Sequence, residues 1–188
     1  MFKPEKLHKD FQFCYEHQEI EEYNMETRDG AVINGLRFKA KNPKGVVFYL
    51  KGNSKSIKGW GKFAVDFTRH GYDVVMVDYR GFGKSMGRRT QKAIKRDLQV
   101  VYNKLRKMVD EKYIILYGRS LGSGFAAKLA SMNNPMDVGA GCSVLQLKQN
   151  YKAILTIYAF TVIDKVSHAN LQMAQIRQLP HTYYSRYG

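Results

Sequence analysis

Tyr113-Ile114-Ile115-Leu116-Tyr117-Gly118-Arg119-Ser120-Leu121-Gly122-Ser123-Gly124, followed by Phe125 to Met132, is the stretch that decides the fold. Five consecutive apolar residues closed by glycine predict a strand buried on both faces of a sheet, and the run from Phe125 predicts a helix. Between them stands Gly-x-Ser-x-Gly. A strand that turns into a helix through that spacing holds its central serine under backbone strain, and Gly118 and Gly122 leave room for the tight turn. Ser120 is thereby expected above the sheet, at the positive end of the new helix. The backbone N–H of Leu121 would point where an oxyanion develops. A short match of this kind also arises by chance as a Gly-rich connection; the flanking strand and helix argue for a nucleophile.

Upstream the same signal recurs twice. Gly45 to Leu50, after Asn42-Pro43, and Asp73 to Asp78 are near-continuous apolar runs, and the first ends at Gly52-Asn53-Ser54. Between them Trp60, Phe63, Ala64 and Phe67 recur at helical spacing, predicting a helix from Ile57 to His70 that Gly71 terminates. Gln91 to Val109 places Ala93, Leu98, Val101 and Leu105 on one stripe of a long basic helix. Buried strands separated by helices need crossover connections, so the sequence predicts α/β architecture: a mostly parallel sheet with helices on both faces. Ile20 to Thr27 and Ala31 to Ala40 alternate loosely around Asp29-Gly30, a tight-turn dipeptide, and read as an antiparallel pair at one edge. Residues 1 to 18 read as an irregular arm laid over the domain.

The 188 residues, 44% of them hydrophobic, suit one domain. The net charge of +15 would suit nucleic acid or an anionic surface. However, Lys and Arg are scattered, and the densest cluster (Lys84, Arg88, Arg89, Lys92, Lys95, Arg96) carries no nucleic-acid fingerprint, so a solvated surface is expected. Cys14 and Cys142 form no C-x-x-C pair, which fits a reducing compartment and no metal site. No cofactor is implied. The N-terminus lacks an apolar leader and no run approaches the ~18 apolar residues of a membrane span, so a soluble, cytoplasmic chain is expected.

From Phe2 to Pro135 the sequence resembles the α/β-hydrolase superfamily, and more closely its Bem46-like, α/β-hydrolase-domain serine hydrolases. The resemblance rests on the strand leading to Gly52-Asn53-Ser54, on Val77-Asp78-Tyr79-Arg80-Gly81-Phe82-Gly83-Lys84-Ser85, and on the serine turn. It implies hydrolysis of an ester, thioester or amide of a small-molecule or acyl substrate, with Ser120 as nucleophile and Leu121 and Asn53 as oxyanion donors. Asp78 to Gly83 would be a structural loop. Asp78 precedes the serine, whereas the superfamily order is Ser, then acid, then His. Lys51 stands where relatives usually carry His. His8 and His17 also precede the serine, and His70 is expected as a cationic helix cap.

After Pro135 the expected fourth buried strand, acid and histidine loop do not follow, so residues 1–135 read as the front of the domain and 136–188 as an atypical tail. Codons read one base later would allow WMLVLDAPYYSLSK across Met136 to Gln149 and CPTHIIHGT across Leu179 to Tyr187, both family-like. The sequence therefore predicts an out-of-frame tail, a sheet incomplete after the serine helix, and an exposed edge beyond the serine strand. Neither triad acid nor base is identified, and His168 and His181 are assigned no role. Two other functions stay open: an inactive truncated domain, and a basic surface-binding protein acting through Lys84 to Arg96.

Overall fold

The three apolar runs become the centre of a six-stranded sheet in the computed structural model, which describes residues 3–141. Strands β1 (Glu19–Glu26) and β2 (Val32–Lys39) form the antiparallel edge pair, closed by a turn in which Gly30 takes a φ of +73°. Strands β3 (Gly45–Leu50), β4 (Tyr72–Val77), β5 (Ile114–Arg119) and β6 (Asp137–Gly141) run parallel, and the order across the sheet is β1-β2-β4-β3-β5-β6.

Coverage on both faces explains the apolar runs. Val46, Phe48 and Leu50 of β3 pack on one side with Ile94, Leu98 and Val101 of helix α3 (Gln91–Met108). Val47 and Tyr49 pack on the other with Ile57 and Ala64. Each such fully buried Val, Leu, Ile or Phe side chain contributes about 1.5–3 kcal/mol. On α3 it is Ile94, not the expected Ala93, that is fully buried, while Ala93 donates its N–H to the capping Thr90 hydroxyl at 3.1 Å.

Two expectations are corrected. The helix predicted from Ile57 to His70 is broken into α1 (Ile57–Trp60), a 3₁₀ turn (Gly61–Ala64) and α2 (Val65–Thr68). Glycine disfavours helix, and the Tyr15 ring presses on Gly61 so closely that a Cβ there would lie 2.3 Å from its Cζ. The sheet also does not stop at the serine strand. β6 pairs in parallel register with β5 from Ile115↔Asp137 to Arg119↔Gly141 and buries Val138, so the edge of β5 is covered. Backbone pairing makes this strand, which has little apolar pattern of its own. The rest of the tail, with Cys142, His168 and His181, lies outside the described residues.

Candidate active site

Ser120 sits between β5 and helix α4 (Leu121–Ala130) with φ 54° and ψ −119°, a conformation costing an L residue on the order of 1–3 kcal/mol. The turn is closed by Ser123, whose N–H and hydroxyl donate to the Ser120 carbonyl at 3.0 and 2.5 Å. Both elbow glycines are demanded by close approach. A Cβ on Gly118 would lie 2.4 Å from the Gly122 carbonyl oxygen, and one on Gly122 would lie 1.9 Å from the Leu50 carbonyl oxygen. The serine side chain is left exposed, and Leu121 begins the helix, where the first N–H groups have no acceptor within the helix itself.

The Gly122 contact also seats the turn against the end of β3 and so against the loop Lys51 to Ser56. That loop is held from several sides. Gly52 lies under the Trp60 ring, and Trp60 Nε1 donates to the Ser54 carbonyl at 2.7 Å. The Asn53 carbonyl accepts from the N–H of Lys3 at 3.1 Å. The Glu5 carboxylate accepts from the Ser56 N–H and hydroxyl at 2.9 and 2.8 Å. The bonds of Lys3 and Glu5 come from the N-terminal arm, which is less irregular than its sequence suggests: Glu5 and Leu7 exchange backbone bonds with Gly83 at 2.7 and 3.0 Å.

Asp78 is fully buried and fixed. Its two oxygens accept from the Ile57 N–H at 3.0 and 3.1 Å, and Lys51 Nζ stands 3.6 Å away. Lys51 is itself fully buried, donates to the Lys55 carbonyl at 3.0 Å, and lies 3.7 Å over the Phe82 ring. Burial pushes the Asp78 carboxyl up and the Lys51 ammonium down, each opposed by the charge of the other. The rest of the Asp78 to Ser85 segment is equally committed. The Tyr79 hydroxyl donates to the Lys51 carbonyl at 2.7 Å, and Arg80 clamps Asp97 and Asp29 at 2.6 and 2.8 Å. The Ser85 hydroxyl donates to the Asp78 carbonyl at 2.7 Å. A structural loop is what the geometry describes.

The described histidines lie elsewhere. His8 and His17 are exposed beside Asp10 and Glu16. His70 follows α2, and its Nε2 is buried without a hydrogen-bond partner among the described residues. The basic cluster is partly consumed by ion pairs, Lys84 with Glu22 at 2.8 Å and Arg96 with Asp29 at 2.7 Å. Sequence reasoning missed Glu5 and Ser56 altogether. No local pattern marks them, because the partners are far apart in the chain.

The profile of the family described as serine aminopeptidase, S33, matches residues 41–176. The chain belongs to this family of α/β-hydrolases. The match passes Pro135 and continues outside the described residues. This S33-family chain is 31% identical over 94 residues to the zebrafish (Danio rerio) lysophosphatidylserine lipase ABHD12, covering 49% of the chain and 24% of that protein. With α/β-hydrolase domain-containing protein 17C of Xenopus tropicalis it shares 26% identity over 161 residues, covering 79% of the chain and 50% of that protein. A solved esterase of Pyrococcus furiosus superposes with a TM-score of 0.58 at 21% identity, over 74% of this chain and 56% of that one, a likeness of fold. The chain thus spans a quarter to a half of these two curated relatives. Among the described residues no helix is long and apolar enough to cross a membrane; a yeast (Saccharomyces cerevisiae) relative 30% identical over 115 residues, 59% of this chain and 40% of that protein, is named an uncharacterized membrane protein.

Proposed function

We propose that the chain is built for hydrolytic acyl transfer, with Ser120 as nucleophile toward an ester, thioester or amide carbonyl. The observation that carries this reading is the strained Ser120 backbone, φ 54° and ψ −119°, at a strand-to-helix turn whose glycines cannot be replaced without clash. The hydroxyl attacks the carbonyl, the N–H groups of Leu121 and Asn53 hold the oxyanion, and water releases the acyl group from the enzyme. Support for the second donor is that the Lys51 to Ser56 loop is packed beside the serine turn and braced by Glu5, Trp60 and Tyr79. Labelling by a fluorophosphonate tests the reading. Strong labelling that Ser120→Ala abolishes supports it; a folded protein that takes no label overturns it.

A second reading, an inactive domain, is favoured by a specific observation. Among the described residues no side chain is hydrogen-bonded to Ser120 Oγ, and Asp78 is engaged by Lys51 and Ile57. A serine without a base is a weak nucleophile, left with only the residual catalysis of an oxyanion site. On this reading the tail from Met136 is out of frame. Sequencing the gene from the Ser120 codon onward decides it: the frame one base later stays open and encodes His-Gly-Thr-Asp, whereas early stops in that frame make the tail native and return His168 and His181 as candidate bases.

A further inference from the structure

A cavity of about 780 Å³ opens at the end of the sheet remote from Ser120, between α3 and strands β1 to β4. Its lining includes Gly45 and Val46, with which β3 begins, while the serine turn packs where β3 ends at Leu50. A strand of that length spans roughly 17–20 Å, so the two sites are separate. The volume falls within the roughly 300–1,000 Å³ of small-molecule sites. Its floor is apolar and buried, made by Met25, Val46, Val75, Val101 and Leu105.

The rim has a different chemistry. Met108 and Tyr113, 65% and 44% exposed, present large apolar surfaces to solvent at the mouth. Lys44 and Lys104 stand there too, both exposed, and among the described residues neither is in an ion pair. Arg37 and Asp73, also on the lining, neutralise each other at 2.6 Å, and Glu21 is the cross-strand neighbour of Arg37. Among the described lining residues the buried Tyr23 hydroxyl lacks a hydrogen-bond partner, but one hydroxyl cannot pair the row of backbone polar groups that a peptide would bring onto this floor. A chain of methylenes ending in an anion matches both zones.

We propose that this cavity binds a single-chain anionic amphiphile, a long-chain carboxylate, with its hydrocarbon over Val46, Val75 and Leu105 and its head group at Lys44 and Lys104. The site is independent of Ser120 and does not rest on the proposed hydrolysis.

Displacement of a fluorescent fatty acid from the full chain by oleate, with oleyl alcohol as the uncharged comparison, tests the proposal. Oleate is expected to bind saturably at one site. Lys44→Glu with Lys104→Glu should weaken oleate about tenfold, as for loss of charge-assisted contacts, and leave the alcohol unchanged. Val109→Trp, which puts an indole in place of a lining valine, should weaken both ligands, and Ser120→Ala should weaken neither. No saturable oleate binding overturns the proposal, as does an equal effect of the charge reversal on acid and alcohol. Loss of binding in Ser120→Ala would assign the ligand to the serine site and overturn it as well. The two lysines are exposed, so the charge reversal keeps the test decisive if Val109→Trp fails to fold.

Discussion

Lys51 Nζ lies 3.6 Å from Asp78 Oδ1 with both side chains wholly buried, so the loop after β3 and the loop after β4 share one sequestered charge pair. Removing either partner leaves an uncompensated charge in an apolar setting beside Phe82 and Tyr79. Lys51→Met or Asp78→Asn is therefore expected to cost on the order of 3–5 kcal/mol in urea unfolding. The double variant should lose less than the sum of the singles by about 1–3 kcal/mol. Additive losses would mean that the two groups do not interact.

Acid should release the N-terminal arm before the domain unfolds. The Ser56 N–H and hydroxyl hold the Glu5 carboxyl below its ordinary 4.5, against desolvation. A lowered folded value means that the contribution is present above 4.5 and is lost as pH falls through the folded value. Trp60, the single tryptophan, bonds to Ser54 in the same loop and reports the change. Its fluorescence is expected to show an acid-side transition that Glu5→Gln removes; an unchanged transition in that variant assigns it to another group.

The glycines of the serine turn provide an internal comparison. Gly122→Ala drives a Cβ into the Leu50 carbonyl and should cost about 3 kcal/mol or prevent folding. Gly124→Ala, two residues further on, meets nothing within 4 Å and lies inside α4, so it should stabilise by about 0.5–1 kcal/mol. Thermal melts of the two variants should therefore move in opposite directions.

Arg80 is the clamp between the turn of the β1–β2 hairpin and α3. Arg80→Ala strands the buried Asp97 and should cost about 3–5 kcal/mol. Arg80→Lys keeps the charge but cannot reproduce the fork that reaches Asp97 and Asp29 together, so it should recover only part of the loss in the same unfolding measurement.

Much of the fold was legible because of where its elements lie. β3, β4 and β5 are covered on both faces, which writes uninterrupted apolar runs, and their bounds fall within two residues of those read from sequence. The hairpin was legible through Asp29-Gly30. What was not legible depends on partners distant in sequence. Tyr15 presses on Gly61 where the helix breaks, β6 owes its existence to the backbone of β5, and the burial of Lys51 depends on Asp78 and Phe82 closing over it. At the site, Ser120 and its glycines announced themselves locally. The bracing of the Asn53 loop by Glu5 and Lys3 did not, since nothing near those residues encodes it.

The arm can dock only late in synthesis. Lys3, Glu5 and Leu7 bond to Asn53, Ser56 and Gly83, so the earlier segment is synthesised well before any of these partners has been made. It must stay undocked until translation has passed Gly83 and two loops have met. Stalling anywhere short of that point would leave this segment unanchored and open to proteases, so the yield of this protein should depend on how quickly the ribosome carries the chain past that glycine.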